Sequence, residues 1–460
     1  MAPRTPATVD VPRIIERNAT SFTHHCTRRP RIDARGARAR IDARVAGRYA
    51  RRHSEPRPSE PRPSFSGHPR PRWTPRSDTE ESRMHVGMAS VFQNPKQSRA
   101  DREIYRDELR LVDLAEPLGF ESVWGVEHHF TDYTMCPDVL QFLTYVAGRT
   151  QRAQLGSMVV VLPWHDPMRV AEEVAMLDTI SDGRLILGLG RGAGKVEFEG
   201  FRLSMDESRQ RFVESAEMLL QGLETGWCEY DGTFIKQPRA AIRPAPFKSF
   251  RGRTYAAAVS PDSLPIMARL GIGILIIPQK PWHEVAKELD TYRGVYRQVN
   301  GVDAPPPISA GWTFCDPSAE RAREMARRYI GGYYQTVLDH YHFEADHLAK
   351  TKGYEYYGKM SEKIAEYGTD TVIDYFVNLQ VSGTPEQCYE KILDIHRRTG
   401  NSHFVGVFSY AGMPYDEAER NMRLFAKDVM PELKTLAINA PAAPEAAVAG
   451  AGTDVRALGF

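Results

Sequence analysis

The apolar residues of this chain follow two alternating patterns between residues 84 and 436. Short runs that are apolar throughout predict buried β-strands, and longer runs with apolar residues every three or four positions predict amphipathic helices. Eight strands are predicted, at 85–92, 122–127, 154–162, 184–189, 254–259, 273–277, 308–314 and 403–409. The helices are predicted at 103–118, 168–180, 208–223, 261–270, 282–299, 319–338 and 386–397.

Eight strands that alternate with helices are typical of an α/β fold of the (β/α)8 TIM barrel class. A doubly wound open sheet is the alternative, and it usually has about five or six strands. The number of strands therefore favours the barrel, which is predicted to span residues 84–436.

Two insertions interrupt the alternation. Residues 226–250 contain Asp231-Gly232 and a Pro-rich stretch, and they predict an inserted hairpin with an Asp-Gly turn. A second, long insertion between strands 7 and 8 replaces a single helix and is rich in tyrosine. Long loops at the top of a barrel are usually functional and often act as lids. An extra helical layer packed on the side of the barrel is the other interpretation, and the two remain equally open.

The distribution of charge and the amino-acid composition distinguish the two chain ends from the predicted barrel. The whole chain has a net charge of +1, but residues 1–83 contain 19 Arg, no Lys, 9 acidic residues and 11 Pro. This segment has almost no apolar periodicity, so it is predicted to be a disordered Arg/Pro-rich extension. The Ala-rich residues 437–460 are predicted to be a disordered tail. The basic segment lacks the alternation of aromatic and basic residues that is typical of a nucleic-acid arm, and it lacks the apolar run of a secretory signal. Neither a nucleic-acid nor a membrane partner is therefore expected.

The cysteines and the lengths of the apolar runs indicate the cellular environment that we expect for the protein. Five cysteines are widely scattered, odd in number and without paired spacing, which favours neither a disulfide framework nor a zinc site. No apolar run approaches the length of a membrane span. We therefore expect a reducing, cytoplasmic setting and no bound metal.

The candidate catalytic residues follow the second predicted strand. Glu127, His128 and His129 come directly after the apolar run, and barrel enzymes carry their chemistry at the carboxyl ends of their strands. His128 is a possible base, flanked by an acid and a second imidazole. Adjacent histidines at a strand end are about as often part of a hydrogen-bonded scaffold, so this motif alone does not decide between the two.

The fourth predicted strand runs into a glycine-rich segment, residues 188–194, that contains the pattern G-x-G-x-x-A. A dinucleotide fingerprint requires a helix that begins within the glycines, whereas helical periodicity here resumes only near Ser208. We therefore interpret Gly190 as a residue that lets a ligand approach the backbone. Arg191 and Arg209 place two guanidinium groups on the same connection.

Two serines follow the fifth predicted strand. Ser260 and Ser263 lie at the start of a predicted helix, where free backbone N–H groups and hydroxyls can bind phosphate. Together with Arg191 and Arg209 they predict a site for a terminal phosphate group. Ordinary helix capping by Ser260 and a solvated Arg209 are the alternative explanation.

These residues carry a resemblance that covers residues 84–436. The chain resembles the bacterial luciferase-like family of flavin-dependent monooxygenases, which are TIM barrels. The shared motifs are GFESVW at 119–124 followed by EHHF at 127–130, LGS at 155–157, LDTISDGR at 177–184, and the spacing from 191 to 209. They are spread over four strands and occur in the family's order.

The resemblance implies roles for individual positions. His128 matches the active-site histidine that assists the formation and use of a 4a-peroxyflavin, with Glu127 or His129 orienting it. The remaining matches are cofactor-binding: Met158 and Val159 in the peptide against the isoalloxazine ring, which is often cis, Gly190 beside the ring, and Arg191, Arg209, Ser260 and Ser263 at the flavin phosphate.

The implied function is a monooxygenase that uses reduced FMN and dioxygen to oxidise a small organic substrate, which is expected to be apolar. Because no Rossmann unit is visible, a separate flavin reductase is expected to supply the reduced FMN, and the family implies a homodimer. Two alternatives remain open. One is a deazaflavin-dependent oxidoreductase of the same fold, and the other is a non-catalytic flavin-binding partner subunit.

The chain departs from the luciferase pattern at three points. Gly190 replaces a cysteine, so thiol chemistry is not expected there. Val259 replaces an acidic residue beside the phosphate serines, and the pair His165-Asp166 does not align with the family's loop. No role is assigned to that pair.

Overall fold

A computed structural model describes residues 83–258, 260–343 and 347–438. Eight parallel strands lie where the pattern predicted them: β1 His85–Ser90, β2 Ser122–Gly125, β3 Gln154–Ser157, β4 Leu185–Gly190, β5 Thr254–Ala257, β6 Gly273–Ile276, β7 Ile308–Cys315 and β8 His403–Val407. Each strand pairs with the next, and β8 pairs with β1 to close the sheet. The predicted TIM barrel is confirmed.

The helices lie between the strands and extend the predicted ones by no more than three residues. They are α1 Asp101–Leu118, α2 Val139–Ala147, α3 Pro167–Ile180, α4 Lys195–Gly200, α5 Ser208–Thr225, α6 Ser263–Leu270, α7 Trp282–Asn300, α8 Ala319–Tyr341, α9 His347–Lys350, α10 Glu355–Tyr367, α11 Thr369–Leu379, α12 Pro385–Thr399, α13 Tyr415–Asp428 and α14 Met430–Leu433. Short 3-10 helices occupy Pro95–Gln97, Leu162–Trp164 and Met205–Glu207. Seven of these helices were not predicted: α2, α4, α9, α10, α11, α13 and α14.

Helix α1 shows how the sequence sets these boundaries. Buried residues recur every three or four positions along it, so one face packs on the barrel: Ile104, Glu108, Leu111 with Val112, and Ala115. The helix ends at Gly119, whose φ of 94° is accessible to glycine at little cost. The chain turns there into β2, and the candidate histidine His128 follows the end of this strand.

The interior of the barrel is filled by large side chains that meet small ones. The ring of Trp124 on β2 is fully buried, and a Cβ atom on Gly156 of β3 would lie 2.1 Å from it. The indole Nε1 donates a hydrogen bond to Ser122 Oγ at 2.8 Å. Gly156 therefore leaves the space that this ring occupies, and β2 and β3 are held in register below the site.

The third strand differs from its prediction. The run predicted at 154–162 breaks after Ser157, where the Met158-Val159 peptide bond is cis, and resumes as Val160–Val161 beside β4. A cis peptide at this position agrees with what the family resemblance implied. A short strand at Val381–Gly383, which pairs with β7, was not predicted.

The inserted hairpin is present, with a longer loop than predicted. Trp227–Asp231 pairs antiparallel with Lys236–Ala241, and Asp231 lies opposite Lys236. Residues 232–235 therefore form the loop, and the Asp-Gly pair only begins it. The Glu214 carboxylate of α5 accepts hydrogen bonds from three backbone N–H groups of this loop, at 2.7–3.0 Å, which favours the longer loop over a two-residue turn.

The long insertion consists of α8 to α12 and the short strand. Its aromatic residues are largely buried, and Tyr334 of α8 stacks on Phe376 of α11 with ring centroids 4.0 Å apart. The insertion thus forms a packed helical layer. Val337 and Tyr341 of α8 also line the cleft above the barrel, so the two interpretations of this segment are compatible.

The predicted disordered ends lie almost entirely outside the described residues, as does Val259. At the barrel boundary, Arg83 and Ala437 pair in an isolated antiparallel bridge, and the backbone N–H of Met84 donates to the carbonyl of Leu436 at 2.9 Å. Within the part of the chain that the structure describes, no helix is both long enough and apolar enough to cross a membrane.

Candidate active site

A cleft opens at the carboxyl ends of the barrel strands and encloses about 1160 Å³, including its mouth. Its position is that expected of a ligand site in this fold. Most of the predicted site residues line it, and they come from four separate connections: Glu127, His128, Met158, Val159, Gly190, Arg191, Arg209 and Ser263. The barrel therefore brings together residues that lie up to 136 positions apart in the sequence.

His128 is held in the cleft by a buried carboxylate. Its Nδ1 lies 2.9 Å from Glu197 Oε1, and the backbone N–H of His129 donates to the same oxygen at 2.9 Å. Glu197 belongs to α4 and is 0% exposed. If Glu197 is ionised, it accepts from Nδ1–H, and His128 Nε2 is then the nitrogen left for a ligand.

The environment keeps Glu197 ionised. Burial by itself raises the pKa of Glu197, but the charge and hydrogen bond of His128, with a contribution from His340, outweigh it and lower the pKa to about 2. His340 Nε2 lies 3.6 Å from Glu197 Oε2. The ligand atoms of His128, Glu197 and His340 lie within 4.8 Å of one another, and the expectation of no bound metal stays a prediction.

We expect Glu197 to make the fold sensitive to acid. Its pKa is about 2 in the folded protein, against the ordinary glutamate value of 4.5 that applies in the unfolded chain. The unfolded chain therefore takes up the proton first, so the carboxylate's contribution is complete above about pH 5 and is lost as the pH falls towards 2. The contribution at neutral pH is at most about 3 kcal/mol.

Urea unfolding at a series of pH values between about 2 and 6 measures this contribution. The difference in the free energy of unfolding between wild type and Glu197→Gln should shrink as the pH falls. The exposed Glu199 on the same helix provides the matched control Glu199→Gln, for which little difference is expected at any pH. A Glu197→Gln difference that is independent of pH contradicts the assignment.

Glu127 and His129 have a different position from His128. The Glu127 carboxylate accepts hydrogen bonds from His129 Nε2 at 3.0 Å, from His165 Nε2 at 2.7 Å and from the backbone N–H of Val161 at 2.9 Å. It is 3% exposed. Glu127 therefore borders the cleft, but its carboxylate oxygens are occupied by hydrogen bonds that link the end of β2 to the segment after β3.

The imidazole of His129 packs against the rings of Trp164 and Phe201, with centroids 5.2 and 4.7 Å away. It does not line the cleft. Of the three predicted catalytic residues, only His128 presents an imidazole to the cleft. The arrangement also accounts for His165, which the sequence left without a role and which is a partner of Glu127.

Glu197 was not predicted as a site residue, because no helix was predicted in the segment directly after the glycines. The interpretation that helical periodicity resumes only near Ser208 is wrong, since α4 begins at Lys195. Six residues make fewer than two helical turns, too few to display a period. Within this segment Glu197 and Phe198 are buried, and no local signal separates a buried glutamate from a solvated one.

Arg191 and Arg209 converge on a single acceptor. Arg191 Nη1 donates to the Gly353 carbonyl at 2.8 Å, and Arg209 Nη2 donates to the same oxygen at 3.3 Å. Arg191 also lies over the ring of Tyr354, 3.9 Å from its centroid. The Arg209 Nε atom is buried and has no hydrogen-bond partner among the described residues. Two guanidinium groups thus face one oxygen, with no carboxylate paired to either of them in the described chain.

The serines lie beside this pair. Ser263 begins α6 and lines the cleft, while Ser260 is buried behind it, with 2.7 Å between the two hydroxyl oxygens. Helix α6 begins two residues later than predicted. Three of the four predicted phosphate residues therefore line the cleft, and Ser260 lies directly behind Ser263.

The surroundings of Gly190 explain its departure from the luciferase pattern. A Cβ atom at this position would lie 2.2 Å from Val159 Cγ2. The Val159 side chain therefore fills the space that a cysteine would need. The cleft keeps a smooth backbone surface at the end of β4, between Met158-Val159 and the arginines.

The fold and this cleft are those of a TIM barrel with a ligand site at the carboxyl ends of its strands. The model of the luciferase-like monooxygenase family matches residues 84–402, and the chain belongs to that family. The alkanal monooxygenase alpha chain of Photorhabdus luminescens is 27% identical over 351 residues, 75% of this chain and 96% of the relative. The oxygenase component of the flavin-dependent trigonelline monooxygenase of Acinetobacter baylyi is 26% identical over 246 residues, 52% of this chain and 68% of the relative.

Solved structures agree with the fold. A monooxygenase from Streptomyces bottropensis superimposes with a TM-score of 0.62 at 27% identity, over 76% of this chain and 99% of that one. Two more distant structures share the fold: the oxygenating component of 3,6-diketocamphane monooxygenase from Pseudomonas putida, solved with FMN, at 16% identity and TM-score 0.59, and the coenzyme F420-dependent tetrahydromethanopterin reductase of Methanopyrus kandleri, at 20% and 0.53. They cover 76% and 77% of this chain and 98% and 100% of their own.

Proposed function

We propose that this protein is an FMN-dependent monooxygenase that receives reduced FMN from a separate reductase and uses dioxygen to oxidise a small, uncharged organic substrate. The observation that carries the proposal is the convergence of Arg191 and Arg209 on one oxygen in the cleft that also contains His128. Two guanidinium groups without a carboxylate partner in the described chain suit an anion with several acceptor oxygens.

The charge of the ligand's phosphate group supports FMN over the deazaflavin F420. FMN ends in a phosphate monoester, which carries about two negative charges near neutral pH, whereas the phosphate of F420 is a diester with one. The orphaned Nε of Arg209 and the hydroxyl of Ser263 offer further donors to such a group. A phosphate oxygen is a stronger acceptor than the Gly353 carbonyl, so the phosphate is expected to take its place.

The chain's own residues would then do two things, beside what the cofactor supplies. Reduced flavin, once bound, supplies the electrons that activate dioxygen. His128, held through Nδ1 by Glu197, can hold or move a proton at Nε2 beside the flavin. The aromatic residues of α8 and the segment after it cover the cleft and limit the entry of water.

The separate reductase is supported by a relative. The trigonelline enzyme of Acinetobacter baylyi is named as an oxygenase component, and the described residues of the present chain form one barrel without a dinucleotide-binding unit beside it. The homodimer and the cytoplasmic setting stay predictions.

A deazaflavin-dependent oxidoreductase is the second candidate. The F420-dependent reductase and the FMN-containing monooxygenase share the fold of this chain, so the fold accommodates both cofactors. A non-catalytic flavin-binding subunit is the third, and it would need the cleft without the chemistry of His128.

The experiment that tests the proposal compares cofactors and then follows the reaction with oxygen. Reduced FMN, reduced riboflavin and reduced F420 are titrated anaerobically, and the FMN complex is mixed rapidly with oxygenated buffer. We expect tightest binding for FMN and a transient near-ultraviolet absorbance before oxidised flavin appears. Tighter binding of F420 favours the second candidate, and FMN binding with immediate reoxidation and no transient favours the third.

A further inference from the structure

A second cavity lies inside the top of the barrel and borders the cofactor cleft. Six residues line both spaces: His128, Met158, Ile277, Gln279, Val337 and Tyr341. We call the second cavity the aromatic chamber, and its walls include six aromatic side chains: Tyr133, Trp312, Tyr333, Tyr334, Tyr341 and Phe376. A ligand in the chamber would lie beside His128 and next to the cofactor cleft.

The aromatic walls are held in place by contacts with one another. Trp312 of β7 stacks on Tyr333 with centroids 4.1 Å apart, and Tyr334 stacks on Phe376 at 4.0 Å with an interplanar angle of 10°. The hydroxyls of Tyr133 and Tyr333 lie 2.8 Å apart. Rigid ring faces and edges favour a flat aromatic ligand, which can stack or meet them edge to face with little loss of conformational entropy.

The chamber also selects against charge. Among the described residues, no Asp, Glu, Lys or Arg lines it, and the polar side chains besides the tyrosines are His128, Thr134, Gln279 and Trp312. A charged ligand would lose its hydration without gaining a partner of opposite charge. The ligand is therefore uncharged.

One polar group in the walls lacks a partner. Trp312 is 7% exposed, and its buried Nε1–H has no acceptor among residues 83–258, 260–343 and 347–438. The side-chain amide of Gln279, which is partly exposed, lies in the same walls. A buried donor without an acceptor destabilises the protein, so a ligand with a carbonyl oxygen would remove a penalty that the protein otherwise carries.

We propose that the aromatic chamber is the substrate site and that the substrate is an uncharged aromatic ring system with a carbonyl group, whose oxygen accepts a hydrogen bond from Trp312 Nε1. The assignment of this ligand as the substrate rests on the proposed monooxygenase function. The binding preference itself depends only on the chamber.

Calorimetric titration of the flavin-free protein tests the preference. The probes are 1-tetralone, a neutral bicyclic aromatic ketone, and tetralin, which has the same ring system without the carbonyl. Decanal and 1-naphthoate test aliphatic and anionic ligands. We expect 1-tetralone to bind about tenfold more tightly than tetralin, and more tightly than the other two.

Trp312→Phe keeps an aromatic ring and removes the N–H group. It should abolish the difference between 1-tetralone and tetralin while leaving tetralin binding unchanged. Trp227→Phe, on the exposed hairpin, is the matched control and should leave both affinities as in wild type. Gln279→Leu removes the side-chain amide from the same walls, and the expected effect on the tetralone preference is smaller than that of Trp312→Phe.

Several outcomes would overturn the inference: tighter binding of decanal or 1-naphthoate, equal binding of 1-tetralone and tetralin by wild type, or a tetralone preference that survives in Trp312→Phe. These titrations contain no flavin. A failure to bind FMN would therefore disprove the proposed function and leave the binding results standing, so the two failures are distinguishable.

Discussion

Arg191→Gln is expected to weaken the binding of reduced FMN by about 30- to 150-fold. The Arg191 guanidinium already donates to a backbone oxygen in the cleft, and a phosphate in that place would receive a charge-assisted hydrogen bond. Such bonds contribute about 2–3 kcal/mol, which corresponds to the stated change in affinity. Glutamine retains hydrogen-bonding capacity and much of the volume but loses the positive charge and the forked donor.

Anaerobic fluorescence titration with FMN and with riboflavin measures this effect. Riboflavin lacks the phosphate, so its affinity should be nearly the same in wild type and in Arg191→Gln. Arg202→Gln replaces an exposed arginine farther along the same connection and is the matched control. Equal weakening for both ligands would mean that Arg191 acts through the fold, and unchanged FMN binding would place the phosphate elsewhere.

His128→Asn is expected to lower product formation by about a hundredfold or more while FMN affinity stays close to that of wild type. A positioned general acid or base contributes about 10²- to 10⁴-fold to a rate, and asparagine cannot exchange a proton. Glu197→Gln should have a smaller effect in the same direction, because the imidazole remains but loses the ionised acceptor at Nδ1. Both variants should shorten the transient absorbance that precedes oxidised flavin.

The ratio of oxidised substrate to hydrogen peroxide, measured together with rapid-mixing absorbance, checks this prediction. His283→Asn, on the exposed surface of α7, is the control and should behave as wild type. If His128→Asn retains the wild-type ratio and transient, the histidine is part of the scaffold, as the sequence alone allowed. A normal His128→Asn combined with an impaired Glu197→Gln would place the essential contact at the backbone N–H of His129.

The fold was largely predictable because strands and helices of a barrel are repeated, local patterns. Strand β4 is buried throughout, and its apolar run LILGLG is visible without knowledge of its neighbours. The positions of His128 and Arg191 were predictable for a related reason, since both directly follow such strands and strand ends are where barrels expose reactive groups. The order of the family's motifs added the expected roles.

The contacts that give these residues their properties join distant parts of the chain. Glu197 and His128 are separated by 69 positions, and Gly353 is 162 positions from Arg191. The local sequence around Glu197 or Gly353 does not distinguish either residue from many glutamates and glycines on the surface. Trp312 likewise belongs to an ordinary buried strand, and only the packed structure shows that its indole N–H has no acceptor.

The sequence by itself determined the barrel, its two insertions, the histidine at the end of β2 and the arginines after β4, because each depends on residues that are close together in the chain. Tertiary structure alone decided that Glu127 connects the scaffold while Glu197 holds His128, and that an aromatic chamber adjoins the cofactor cleft. Burial and hydrogen bonding are properties of neighbours in space. Two glutamates with similar sequence surroundings can therefore acquire different roles once the barrel closes around them.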